Sequence, residues 1–153
     1  MNISNFKSTY GYIGFLPFAF LSIAPWIVGS EISKIAIIFQ LAYGSIILTF
    51  LGGMAWGWRD NQKNQRLNLS IGIIYSLIGC LILLLTYLEL ILIALLISVF
   101  SFQSFYHFEK STEDFKYRDD DYKKFRKMLS LLVSISFLIS SAYWINPYSN
   151  PLT

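Results

Sequence analysis

From Ile71 to Tyr106 the chain carries a single charged residue, Glu89. As one helix rising about 1.5 Å per residue, that stretch would be roughly 54 Å long. An apolar bilayer core is only about 30 Å thick. Nothing in these residues offers a polar surface to water, so the chain has to turn back on itself. A tight helical hairpin is expected near Thr86–Glu89, with Glu89 at the membrane surface. The rival reading keeps Glu89 inside the membrane as a functional carboxylate, and takes the one charge away from the turn.

Four further constraints extend this reading to the whole chain. First, apolar stretches lie near 10–29, 35–58, 69–87, 90–106 and 128–145, each close to the roughly 17–25 residues that cross a hydrocarbon core. Backbone polar groups in lipid must bond within their own segment, so the expected fold is all-α: one polytopic bundle of five transmembrane helices filling residues 1–153. Second, charged residues make up 14% of the 153 and hydrophobic ones 55%, with mean hydropathy +0.53, whereas a soluble domain carries about 25% charged. That excludes a disordered chain, a fibrous chain and nearly every soluble enzyme. Third, the run from Tyr10 to Gly29 is long for a signal peptide and holds Pro17, Pro25 and Trp26, so it reads as a retained membrane helix. Gly11, Gly14 and the two prolines predict that it is kinked.

Fourth, charge sets orientation. Eleven of the twelve basic residues fall on one side of such a bundle: Lys7, then Arg59, Lys63 and Arg66, then seven between Lys110 and Lys127. Only Lys34 falls on the other. The positive-inside rule then predicts an N-in, C-out protein, with the bacterial inner membrane as its expected location and lipids among its partners. Trp26, Trp56, Trp58 and Trp144 near the span ends agree, because amphipathic rings favour the headgroup level.

The polar segment 109–127 is expected to be a cytoplasmic loop. Its Asp119-Asp120-Asp121 run could invite a divalent metal, but acidic residues also open helices, and Asp119 with Lys123 and Asp120 with Lys124 have the i,i+4 spacing of ion pairs. Phe115, Tyr122, Phe125 and Leu129 recur at helical spacing and predict a short amphipathic piece on the membrane surface. The lone cysteine, Cys80, is expected to be a packed thiol. His107, the one histidine, cannot supply two axial haem ligands or a zinc site with Glu109 alone. No phosphate-binding loop, nucleophile elbow or HExxH is present. No cofactor, metal, catalytic residue or nucleic-acid partner is expected, and the chain leans away from an enzyme. An enzyme reading would have to rest on His107, Glu109 and the acidic run.

Small residues let membrane helices approach closely. In the second span Ala42, Ser45, Thr49, Gly52 and Trp56 share one face, with Gly53 and Gly57 beside it; the third has Gly72, Ser76 and Cys80, and the fifth Ser130, Ser134, Ser136, Ser140 and Ser141. Helix contact is the expected role, with Gly52, Gly53 and Gly57 as close-approach positions and Trp56 as an interfacial anchor. The alternative is a transporter or channel for a neutral or lipidic solute, lined by Gln40, Tyr43, Thr49 and Gln103.

The segment Tyr43-Gly44-Ser45-Ile46-Ile47-Leu48-Thr49-Phe50-Leu51-Gly52-Gly53-Met54-Ala55-Trp56-Gly57 resembles the hallmark of the transmembrane-protein-sixty-nine-like family, found in bacteria and mitochondria. Tyr10-Gly11 with Leu16-Pro17-Phe18 resembles its first-span motif, and Tyr122 with Arg126 its closing element. Ala55 departs from the family, where a polar or basic residue often precedes the Trp. The resemblance implies a multi-span topology, with Tyr43, Gly44, Gly52, Gly53, Trp56 and Gly57 as motif positions. The expected role is a small non-catalytic packing or assembly partner of other membrane proteins.

Overall fold

Five long helices alternate in direction. The computed structural model describes the backbone of residues 3–28, 30–58 and 62–146, and side chains within 9–28, 31–58 and 64–146. Helix α1 covers Ile3–Ile23, α2 Ser30–Met54, α3 Gln62–Tyr87 and α4 Ile91–Ser111; a short α5, Glu113–Lys116, precedes α6, Asp120–Ile145. Single 3₁₀ turns, Ala24–Trp26 and Ala55–Gly57, extend α1 and α2. No strand occurs among the described residues.

Among the described residues four helical segments are long and apolar enough to cross a membrane: Glu31–Gly57, Asn64–Tyr87, Ile91–Ser111 and Asp120–Ile145. The outer faces of these segments and of α1 carry the side chains that a soluble protein would hide. Phe20 is 74% exposed, Phe100 72% and Leu77 63%, with Leu16, Phe39 and Ile46 similarly bare. A belt of that size is a liability in water and ordinary in lipid.

The helices run past the apolar stretches at one end. Hydropathy marks where lipid begins, but helical hydrogen bonding continues through the polar surface layer. Thus α3 starts at Gln62, α4 reaches Ser111 and α6 starts at Asp120. This end holds Arg66 and the basic residues of 110–127; Lys34 lies at the other. Arg59 and the side chains of Lys7 and Lys63 lie outside the described residues.

Helix α1 packs against α2 and α6, α3 against α2 and α4, and α6 against α4, while α2 and α4 meet across the middle. The core is aromatic at its centre. Phe18 of α1 meets Phe102 of α4 and Phe137 of α6 edge-on, with ring centroids 6.0 and 5.6 Å apart. At the basic end Trp58 packs on Phe105 and Phe108. At the opposite end Trp26 meets Tyr143.

The α3–α4 hairpin turns where the charge pattern places it. The Leu90 N–H bonds to the Leu85 carbonyl and the Glu89 N–H to that of Thr86, the two bonds of a Schellman ending. Glu89 takes the left-handed conformation (φ 60°) that this ending requires. Its side chain is 75% exposed and meets Lys34 at 3.0 Å, so this carboxylate is a surface group and not a buried one. A non-glycine residue in that conformation costs about 1–2 kcal/mol, and an exposed ion pair contributes about 0–1 kcal/mol. Glu89→Gly is therefore expected to leave the unfolding midpoint in detergent unchanged or higher; a clear drop would mean that Glu89 carries more than the turn.

Candidate functional site

The buried face of α4 continues beyond its apolar stretch. Ser98, Ser101, Phe102 and Phe105 lead at helical spacing to Glu109, which is only 2% exposed. On α6, Tyr122 and Arg126 are one turn apart and both reach it. Arg126 Nε donates to Glu109 Oε2 at 2.9 Å and to Oε1 at 3.2 Å, and Nη2 also donates to Oε2. The Tyr122 hydroxyl donates to Oε1 at 3.1 Å. The side chains of Arg126 and Glu109 are 8% and 3% exposed. Two charges withdrawn from water this fully must neutralise each other.

A second arginine stands beside this group. Arg118 Nε and Nη2 donate to Asp114 Oδ2 at 3.0 and 2.7 Å. That bond holds the Arg118 proton more tightly than in a free arginine. The guanidinium lies 5.5 Å from the Tyr122 ring centroid, in cation–π range. Thr112 caps α5 by accepting the Phe115 N–H at 3.3 Å, which fixes the link between α4 and Arg118.

Next to the two arginines lies a cleft of about 600 Å³. Gly11, Gly14 and Phe18 of α1 form one wall and Phe50, Leu51 and Met54 of α2 the other. Phe102 and residues of α6 from Tyr122 to Val133 close its back. The walls stay open because Phe125 of α6 rests on Gly11, where a Cβ would approach its ring to 2.1 Å, while a Cβ on Gly14 would meet only the Tyr43 hydroxyl at 3.9 Å.

A family model described as a protein of unknown function, DUF3429, matches residues 5–142. The chain belongs to this family. The match takes in α1 to α5 and most of α6, so the DUF3429 region is the bundle itself, with the Glu109–Arg126 pair and the cleft inside it. Neither the curated proteins nor the solved structures yield a match.

Within this DUF3429 bundle the motif positions divide. The Tyr43 hydroxyl donates to the Gly14 carbonyl at 2.8 Å and ties α2 to α1. Gly44 faces Phe137, and Gly52 meets Gly72 of α3, each so closely that a Cβ would stand 2.5 Å from its neighbour. Trp56 is 57% exposed and leans over Gly72. Gly53 and Gly57, expected as close-approach positions, are not: a Cβ on either meets nothing within 4 Å. Neighbouring residues differ by about 100° around a helix, so Gly52 and Gly53 cannot both face α3.

The residues expected to line a solute path lie away from this cleft. Gln40 is fully buried, donating to Ser136 Oγ at 3.3 Å and accepting from Ser140 Oγ at 2.5 Å. Gln103 donates to Ser134 Oγ at 2.9 Å and to the Ser130 carbonyl at 3.3 Å. Thr49 bonds back to the Ser45 carbonyl. None of the three lines the cleft, because each amide or hydroxyl is drawn to a helix-helix seam.

Other expectations change in detail. Cys80 is exposed on the outer face of α3 while Gly79 turns inward. Asp119 stands at the N-cap of α6 without a side-chain cap bond, and Lys123 pairs with Asp120 at 3.4 Å, an i,i+3 pair in place of the expected i,i+4 ones. Segment 109–127 is folded rather than a loop, and Phe115 and Phe125 are buried in it. No group of three metal-ligating side chains gathers among the described residues. His107 is exposed. The Glu109–Tyr122–Arg126 cluster escaped sequence reasoning, since Glu109 was counted with the polar segment; its spacing four residues after Phe105 was the available signal.

Proposed function

We propose that this chain is a five-span, N-in and C-out protein of the bacterial inner membrane with a non-catalytic role, held in place to bind lipid and other membrane proteins rather than to move solutes. One observation carries this: the polar groups at membrane depth are consumed by one another. Gln40 and Gln103 each join α6 to another helix, and the serines that serve them are buried with them. Helices joined in this way make a fixed scaffold, whereas a neutral-solute path needs polar groups facing an opening. The resemblance of the second span to the transmembrane-protein-sixty-nine-like hallmark supports a shared topology.

Orientation is tested by labelling. In a Cys80→Ser background, Lys34→Cys is expected to react with a membrane-impermeant maleimide in intact cells, and Lys124→Cys only after permeabilisation. Labelling of both from one side overturns the five-span reading. Specific solute uptake by liposomes carrying the pure protein, lost in Gln103→Leu, overturns the non-transport reading.

A further inference from the structure

The cleft between α1 and α2 is apolar along its length and carries two arginine side chains at one end. Among the described residues its only charged lining residues are Arg118 and Arg126. Their acidic partners, Asp114 and Glu109, are not part of the lining. Arg126 is the more telling of the two. Its side chain is 8% exposed, and Nε and Nη2 are engaged by Glu109. Its Nη1 has no protein partner among the described residues, so its two N–H donors remain available to an acceptor in the cleft that Arg126 lines. Arg118 Nη1 is likewise unused. Buried donors are rarely left unmatched, and a charged one is the costliest to leave so.

The geometry points to an anionic phospholipid as the occupant of this cleft. Its phosphate accepts from Nη1 of Arg126 and of Arg118, and one acyl chain lies against Phe15, Ile47 and Leu129, apolar lining residues that are only partly buried. Several features choose this occupant. The arginines sit at the basic end of the bundle, where headgroups lie if the helices span the membrane, and arginine suits phosphate in charge and geometry. About 600 Å³ of apolar space lies within the range of small-ligand sites. The rim residues Tyr10 and Phe50 are 69% and 64% exposed, so the cleft opens sideways toward lipid. A side opening lets a two-chain lipid enter while its second chain stays in the bilayer.

This inference rests on the membrane-spanning reading, which the labelling experiment tests independently. Pure protein in mild detergent is offered equal amounts of phosphatidylglycerol, phosphatidylcholine and palmitate, and bound lipid is counted by native mass spectrometry. The wild type is expected to retain one phosphatidylglycerol at about tenfold preference, because the choline ammonium of phosphatidylcholine offsets the phosphate charge that the arginines meet. Arg118→Gln should lose most of that preference. Gly14→Leu and Met54→Trp, which fill the cleft without touching the arginines, should lose retention of both phospholipids while keeping their helical circular dichroism. Equal retention of the two phospholipids by the wild type, undiminished retention in both filling variants, or retention of palmitate in place of phospholipid overturns the proposal.

Discussion

Glu109→Ala is expected to lower the unfolding free energy by about 3–5 kcal/mol, the usual cost of stranding one member of a buried ion pair. Among the described residues Arg126 has no other acid in contact, and Asp114 is held by Arg118. Arg126→Ala leaves Glu109 with the Tyr122 hydroxyl alone, and should cost a similar amount. The double variant Glu109→Leu/Arg126→Met removes both charges at similar volume, and replacements of that kind are often neutral. It should recover most of the loss. Thermal unfolding in detergent across the four proteins compares stranding one charge with removing both. If the double variant loses as much as the two single ones together, the pair is not what holds α4 to α6 at this end. Tyr122→Phe, which removes one hydrogen bond to Glu109, should cost only about 1 kcal/mol.

That pair also marks where sequence reasoning stopped. Charge patterning located the α3–α4 turn because Glu89 interrupts an otherwise apolar run, and lipid leaves a charge nowhere else to go. The same logic failed at Glu109. There the surrounding residues are polar, so hydropathy could not distinguish a solvated carboxylate from one folded back under α6. Only the continuation of the α4 inward face, from Phe102 and Phe105 to Glu109, separates the two. The glutamines failed for a related reason. A polar residue amid apolar ones is equally a lining group or a bridge, and its partner settles which. Ser136 and Ser140 lie 96 and 100 residues from Gln40, a separation that no local pattern spans. The cleft arises from where α1 and α2 separate, which belongs to three-dimensional packing and not to any single segment.

Gly52→Leu is expected to cost about 3 kcal/mol or more, at or beyond the upper end of ordinary overpacking. A Cβ there would lie 2.5 Å from the Gly72 carbonyl oxygen, and one on Gly72 would lie 2.5 Å from the Gly52 carbonyl. Both obstacles are backbone, so no side chain can rotate aside and the two helices must part. The seam continues one repeat further, where a Cβ on Gly79 would lie 2.5 Å from Thr49 Oγ1 and 2.9 Å from the Ser45 carbonyl. Gly72 and Gly79 are seven residues apart, as are Ser45 and Gly52, so two turns of α2 lie against two turns of α3 at the same register. Parting them at Gly52 loosens the contacts at Gly79 as well. Gly53→Leu, one residue away, points to open space and should change stability by no more than about 0.5 kcal/mol. The contrast needs only the two unfolding midpoints, measured in the same detergent. Equal damage at both positions would mean that the whole of this end of α2 is closely packed. The reverse order would mean that α3 lies against a face of α2 rotated by about 100° from the one carrying Ser45, Thr49 and Gly52, and the positions of Tyr43 and Gly44 against α1 and α6 would have to rotate with it.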